Sequence, residues 1–201
     1  MGRWELGADE QQELHAHLTG SIRRECLHEI WLARRQADPE LPLQDPLEVI
    51  PTDGVIDIMT IVCSPLLRPS SADVWQFPLS SKYIYHLCND VATVAFSTTS
   101  VLRDFENDGV VYLELRTTPR HHDLTGLTKE AYVETVLRTI AEYPGAMETN
   151  LILSVDRRDS LETATETVDL ALRYRDKGVV GVDLCGDPTV ISHAASQHSY
   201  C

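Results

Sequence analysis

The chain alternates between short, nearly continuous apolar runs and longer segments in which apolar residues recur at helical spacing. The first pattern predicts buried strands and the second predicts amphipathic helices. Strands are predicted at residues 13–18, 110–118, 151–156 and 179–184, and helices at 21–35, 128–142 and 161–177. Ser21 and Thr128 are the expected helix N-caps, and Gly178 is expected to end the last helix.

The order of these elements is strand, helix, strand, repeated along the chain, which predicts an α/β fold with a parallel sheet covered by helices. About four strands are visible, roughly half of what a closed barrel of ~250 residues needs. Residues 83–105 have helical character and lead into the strand at 110, whereas the proline-rich stretch 39–81 is a poor candidate for packed structure.

Composition makes some partners and cellular locations unfavourable. The formal net charge of -14 makes DNA or RNA an unfavourable partner, although a small anion could still bind in a local basic cluster. The five cysteines form no C-x-x-C pair, and neither a signal peptide nor a membrane-spanning apolar run is recognisable, so we expect a cytosolic protein with no membrane partner. A monomer is expected.

Polar residues gather where each predicted strand ends, which in parallel barrels is the end that binds ligands. His15 and His17 form an H-x-H pair on the first strand. Residues two apart on a strand point to the same face, so both imidazoles could hold one zinc ion. The alternative is a pair of hydrogen-bonded structural histidines.

After the second strand, Thr117, Thr118, Pro119 and Arg120 offer two hydroxyls and a guanidinium, a set that suits a phosphate group, although it could also be a plain turn with a solvated arginine. Asp156 ends the third strand, as a pocket carboxylate or as a carboxylate paired with its neighbours. Gly186 ends the fourth, either for close approach of a ligand or for an ordinary turn. Four other histidines are expected to be solvated: His121, His122, His193 and His198.

Four segments resemble the adenosine deaminase family, and most closely its N6-methyl-AMP deaminase branch. They are ELHAHLTGS at 13–21, GVVYLELRTTPR at 109–120, SVDRR at 154–158 and GVDLCGDPTV at 181–190. The resemblance implies a (β/α)8 TIM barrel of metal-dependent hydrolase type, with only about its first half present. Residues 12–190 would form the N-terminal part of the barrel, with an atypical or replaced segment at 49–81 and a divergent tail at 191–201.

By this resemblance His15 and His17 would be zinc ligands. The substrate-binding residues would be His17, Thr19, Thr117, Thr118, Pro119, Arg120, Asp156 and Gly186. The implied reaction is zinc-dependent hydrolysis of N6-methyl-AMP, or a related adenine nucleotide, to IMP and an amine. The family usually has asparagine or aspartate where Thr19 stands, and either Tyr85 or His86 lies near the position of a substrate-facing histidine.

The family pattern stops after Val190. Beyond that point no position matches four residues of the family: its third metal histidine, its catalytic glutamate, a further histidine and its metal-binding aspartate. The catalytic residues are therefore unknown. This shortened chain is expected to be weak or inactive, as a spliced or incomplete gene product. The alternatives are another barrel metal hydrolase acting on a different small substrate, and a non-catalytic product.

Overall fold

The structure, a computed structural model, describes residues 11–50 and 83–186. Four strands form one sheet in the order β1-β2-β3-β4, and each neighbouring pair is parallel. Their bounds are Gln11–His17 for β1, Val110–Thr117 for β2, Glu148–Asp156 for β3 and Val179–Cys185 for β4. Parallel strands adjacent in chain order with helices between them are the arrangement of a (β/α)8 barrel, so the predicted fold class is confirmed as a partial barrel.

Five α-helices accompany the described strands: α1 Arg24–Ala37, α2 Pro46–Val49, α3 Val91–Asn107, α4 Lys129–Glu142 and α5 Leu161–Arg173. Short 3-10 turns lie at Thr19–Ser21 and Arg175–Lys177, and residues 83–87 are also helical. None of the helices in the described ranges is long and apolar enough to cross a membrane.

The ends of the helices test the predicted caps. Thr128 caps α4, because its hydroxyl accepts a hydrogen bond from the Ala131 backbone N–H at 3.1 Å, as expected. The prediction for Ser21 is wrong: α1 begins only at Arg24, and the Ser21 hydroxyl instead donates to the His17 carbonyl at 2.9 Å. Gly178 takes a left-handed φ of 109° after the 3-10 turn that follows α5.

The hydrophobic core lies between one face of the sheet and the helices. Strand side chains on this face are fully buried, among them Leu113, Leu115, Leu151 and Leu153. They belong to one cluster with buried residues of α3 and α4: Val94, Val101, Leu102, Tyr132, Val133 and Val136. Because successive strand residues point to opposite faces, the intervening polar residues lie on the other face, which corresponds to the interior of a barrel.

Beyond β3 the helix-facing side of the sheet is less well covered. Val182 is 44% exposed and Leu184 is 58% exposed on β4, and they alternate with Asp183 on the interior face. Strands of a parallel sheet are normally buried on both faces. The functional residues discussed below all lie on the interior face or at the carboxyl ends of the strands.

Candidate functional site

The H-x-H pair lies at the carboxyl end of β1. Ala16 between the two histidines is 6% exposed and packs into the core, so His15 and His17 both point to the interior face. Their ring centroids are 5.3 Å apart, with an interplanar angle of 47°. The two imidazoles therefore converge, as the spacing predicted.

The imidazole of His17 is partly buried. Burial lowers the pKa of its imidazole below the ordinary value, and the neighbouring His15 and Arg116 act in the same direction, while Asp183 opposes them. A lowered pKa keeps the ring neutral near pH 7, which is the form that binds a metal ion.

The donor set fits two ligand positions of a zinc site. Within residues 11–50 and 83–186 there is no group of three or more histidine, cysteine, aspartate or glutamate side chains that could hold a metal ion. A catalytic zinc site needs about three protein ligands and one open position. Further ligands would have to come from outside the described residues.

An ion pair crosses the interior face below the rim. Arg116 Nη1 on β2 donates to Asp183 Oδ2 on β4 at 2.5 Å, passing over β3, and both side chains are largely buried. Arg116 Nη2 also donates to the Leu14 carbonyl on β1 at 2.8 Å. This one guanidinium therefore links three strands.

The two threonines that end β2 and begin its following loop point in different directions. Thr117 is 2% exposed on the helix side, where its hydroxyl is 2.7 Å from the Tyr132 hydroxyl. Thr118 lies on the interior side, with its hydroxyl 3.4 Å from the Cys185 thiol at the end of β4. Only the Thr118 hydroxyl is placed to meet a ligand at the rim.

Arg120 turns towards the helix layer. Its guanidinium carbon lies 5.0 Å from the centre of the Tyr85 ring and 5.3 Å from that of Tyr132. Arg120 Nε is buried with no hydrogen-bond partner among the described residues, and Pro119 beside it is buried. The guanidinium thus lies within cation–π distance of two aromatic rings. A phosphate-binding role for residues 117–120 stays a prediction.

Asp156 at the end of β3 is fixed by Arg158. Its Oδ1 accepts from the Arg158 backbone N–H and from Nε, both at 2.9 Å, and its Oδ2 accepts from Nη2 at 2.5 Å. These bonds hold the pKa of the Asp156 carboxyl below its usual range, although burial opposes them. The carboxylate is therefore paired with a neighbour, as the second interpretation of the sequence expected, and it stays ionised at neutral pH.

Gly186 follows β4 directly against Asp156. Its φ is 89°, and a Cβ there would lie 2.8 Å from Asp156 Oδ1 and 3.3 Å from Cγ. The Arg157 backbone N–H donates to the Cys185 carbonyl at 3.0 Å, which joins the ends of β3 and β4. Asp156, Gly186 and Thr118 thus share one rim, while Asp187 and Pro188 lie outside the described residues.

We expect Gly186→Ala to lower the free energy of unfolding by ~2–3 kcal/mol, because a left-handed residue with a side chain costs ~1–2 kcal/mol and the clash adds to it. Asp156 cannot easily move aside, since Arg158 pins both of its oxygens. Urea denaturation followed by circular dichroism measures the loss.

The matched control is Gly126→Ala. Gly126 also has a left-handed φ, of 69°, but a Cβ added there would meet nothing within 4 Å. Only the backbone strain should remain, ~1 kcal/mol. An equal loss in the two variants would contradict the close approach of Gly186 to Asp156.

Other residues named from the sequence lie apart or outside the site. Thr19 is half-buried in the 3-10 turn after β1. Tyr85 and His86 are both exposed, and of these two Tyr85 reaches Arg120. His121 is exposed, and the His122 backbone N–H donates to the Leu127 carbonyl in a turn. His193 and His198, and the segments 51–82 and 187–201, lie outside the described residues.

No separate role was predicted from the sequence for Arg116 or Asp183. A usable signal was present, because each is a charged residue inside an otherwise apolar strand pattern. Charged residues buried in a sheet are almost always paired. The pattern could have predicted that Arg116 pairs with Asp183, although not that Arg116 also donates to the Leu14 carbonyl.

The chain is similar to a known protein family and to proteins of known function. The family model described as "Adenosine deaminase" matches residues 11–201. The N6-mAMP deaminase of Arabidopsis thaliana is 38% identical over 202 residues, covering 89% of this chain and 52% of that protein. The N6-methyl-AMP deaminase of Homo sapiens is 33% identical over 184 residues, covering 89% of this chain and 46% of that protein.

A solved structure shows the same similarity. The crystal structure of Arabidopsis ADAL complexed with IMP aligns with a TM-score of 0.72 at 32% identity, covering 93% of this chain and 52% of that one. The chain therefore spans about half the length of these relatives.

Proposed function

We propose a function for this chain, which belongs to the adenosine deaminase family. It forms the part of a barrel that contains strands β1 to β4, and this barrel hydrolytically deaminates N6-methyl-AMP or a related adenine nucleotide. The observation that carries this proposal is the convergence of two imidazoles on the interior face of the sheet. The rim formed by Thr118, Asp156 and Gly186 lies at the same carboxyl ends of the strands.

His15 and His17 would hold a zinc ion, with further ligands supplied from outside the described residues. The lowered pKa of His17 supports this role, because a neutral imidazole can bind the metal without first losing a proton. Zinc in such a site supplies a Lewis acid that makes water nucleophilic near neutral pH.

The proposed reaction adds the elements of water across the purine C6–N bond. The water oxygen bonds to C6 and the bond from C6 to the exocyclic nitrogen breaks. One proton of the water passes to the departing amine and the other to the purine N1. N6-methyl-AMP and water would give IMP and methylamine. Within the described residues, two polar groups could orient the substrate: the ionised Asp156 carboxylate and the Thr118 hydroxyl.

The monophosphate is favoured over the nucleoside by the basic residues that follow β2 and β3. Arg158 is two-thirds exposed while bonded to Asp156, and the guanidinium carbon of Arg120 lies 5.0 Å from the ring centre of the exposed Tyr85. Guanidinium groups bind phosphate through paired N–H donors. The relatives named as N6-methyl-AMP deaminases and the relative crystallised with IMP support the same substrate class.

We further propose that the 201-residue chain alone has little turnover, because it spans about half the length of the relatives named as N6-methyl-AMP deaminases and its described residues contain no group of three candidate metal ligands. The test measures zinc content of the purified chain and then compares IMP binding with inosine binding by calorimetry. We expect IMP to bind at least about tenfold more tightly, a difference of about 1.4 kcal/mol.

A turnover panel completes the test. N6-methyl-AMP, AMP, N6-methyladenosine and adenosine are each incubated with the chain, and released IMP or inosine is quantified with and without a chelator. We expect slow, chelator-sensitive conversion of the two monophosphates only. Equal use of nucleosides, or binding of inosine as tight as that of IMP, would refute the nucleotide assignment, and rapid turnover would refute the proposal of a weak enzyme.

A further inference from the structure

The strand that carries the histidine pair is irregular. In the pairing of β1 with β2, Glu13 lies opposite Leu113 and Ala16 lies opposite Leu115. Between these two pairs β1 has two residues, Leu14 and His15, and β2 has one. This two-against-one count is a β-bulge, a feature that re-aims side chains and leaves backbone groups without ladder partners.

Side chains satisfy the backbone groups that the bulge frees. The His15 backbone N–H donates to Glu13 Oε1 at 2.7 Å, and the Leu14 carbonyl accepts from Arg116 Nη2 at 2.8 Å. Both bonds involve a charged group, and such bonds are roughly twice as strong as neutral ones. Side chains therefore hold one backbone group of each of the two residues in the bulge.

Arg116 is in turn held in place from the opposite edge of the sheet. Its other terminal nitrogen bonds Asp183 Oδ2 on β4, and the two side chains are 15% and 20% exposed. Because both terminal nitrogens of Arg116 are bonded, its guanidinium loses its freedom to leave the Leu14 carbonyl. Asp183 thereby acts on β1 through Arg116, from the opposite edge of the four-stranded sheet.

The bulge decides which face the histidines occupy. Glu13 is in register with Leu113, a fully buried residue on the helix side. Regular alternation from Glu13 would carry His15 and His17 to that same helix side, because a shift of one residue exchanges the two faces of a strand. The extra residue instead places Ala16 in the core opposite Leu115 and turns both imidazoles to the interior.

We propose that Glu13, Arg116 and Asp183 are positioning residues for the histidine pair, acting by holding the β1 bulge that aims both imidazoles at one point. This role rests on the proposed function in one respect, that the pair binds a metal ion. The bulge itself can be tested without the metal, which keeps the two proposals separable.

The first experiment replaces Glu13 in the 201-residue chain. Glu13→Ala removes the acceptor of the His15 N–H, whereas Glu13→Gln keeps an acceptor oxygen at the same reach. Zinc affinity is measured by competition with a coloured chelator. We expect Glu13→Ala to weaken zinc binding ~10–100-fold, because loss of the groups that hold metal ligands in place has an effect of this size. The zinc affinity of Glu13→Gln should lie within ~3-fold of that of the unchanged chain.

The second readout is amide hydrogen exchange at His15, measured by NMR without metal. Exchange should become at least about tenfold faster in Glu13→Ala and stay slow in Glu13→Gln, while the β2–β3 ladder amides keep their rates. Glu142→Ala, at an exposed carboxylate at the end of α4, is the matched control and should change neither readout.

Arg116→Lys gives an independent variant should Glu13→Ala fail to fold. Lysine keeps the positive charge but lacks the planar fork that serves Leu14 and Asp183 together. We expect zinc affinity to fall ~10-fold or more while the melting transition remains cooperative. Unchanged zinc affinity in both Glu13→Ala and Arg116→Lys would overturn the positioning role.

The failures of the two proposals look different. If the unchanged chain binds no zinc, the metal assignment of the histidine pair fails, and His15 exchange then decides the role of Glu13 alone. If the chain binds zinc but His15 exchange is the same in Glu13→Ala and in the unchanged chain, the bulge is not held by Glu13, and the positioning proposal fails by itself.

Discussion

Replacing Leu115 by alanine is expected to lower the free energy of unfolding by ~3 kcal/mol, within the ~2–5 kcal/mol typical of leucine truncations in cores. Leu115 is 0% exposed at the centre of β2, with Leu113 and Leu151 in the same buried cluster. Its removal loses the transfer free energy of three methyl or methylene-sized groups and leaves a cavity that a sheet residue cannot close by moving. Urea denaturation followed by circular dichroism measures the shift in midpoint.

The matched control for this truncation is Leu124→Ala. Leu124 is 93% exposed in the loop after β2, so its replacement should change stability by no more than ~0.5 kcal/mol. Similar losses in the two variants would mean that the sheet and helices do not pack as described. A changed denaturant dependence in Leu115→Ala alone would show that the compactness of the folded or denatured state has changed, or that unfolding is no longer two-state.

The elements that could be predicted from the sequence are those decided by local pattern. The apolar runs that became β2, β3 and β4 were predicted to within three residues at each end, because strands buried on one full face tolerate few polar residues. The first helix was predicted to start too early, since Ser21 is a good cap by composition. Its hydroxyl instead bonds the carbonyl of His17 four residues before, which keeps 19–21 in a separate 3-10 turn.

The candidate site was less predictable, because its geometry depends on contacts between distant residues. The alternation of strand residues could have shown that Thr117 and Thr118 point to opposite faces. Nothing local could have shown that Arg120 would lie close to both Tyr85 and Tyr132, which lie 35 residues before it and 12 residues after it in the chain. The bulge in β1 was equally hidden, and Leu14, apolar in the pattern, is 51% exposed there.

Replacing His17 by alanine is expected to weaken zinc binding by about 100-fold or more, because it removes one of two converging nitrogen ligands and leaves a single imidazole. His15→Ala should have a similar effect. Zinc affinity is measured by chelator competition at about pH 7.5, well above the lowered pKa of His17. His121→Ala is the control, since His121 is exposed in the loop after β2 and should leave the affinity unchanged.

The pH dependence gives this prediction a second, independent check. The folded-state pKa of His17 is lower than its ordinary value, chiefly through burial, so the unfolded chain binds this proton more readily than the folded one. The contribution of neutral His17 to stability is therefore present above the ordinary histidine pKa and is lost as pH falls towards the lowered folded value. The metal-free chain should lose stability over this range, and His17→Ala should lose less. A steeper acid loss in His17→Ala than in the unchanged chain would contradict the burial of a neutral imidazole, and with it the reason that this ring is ready to bind a metal ion at neutral pH.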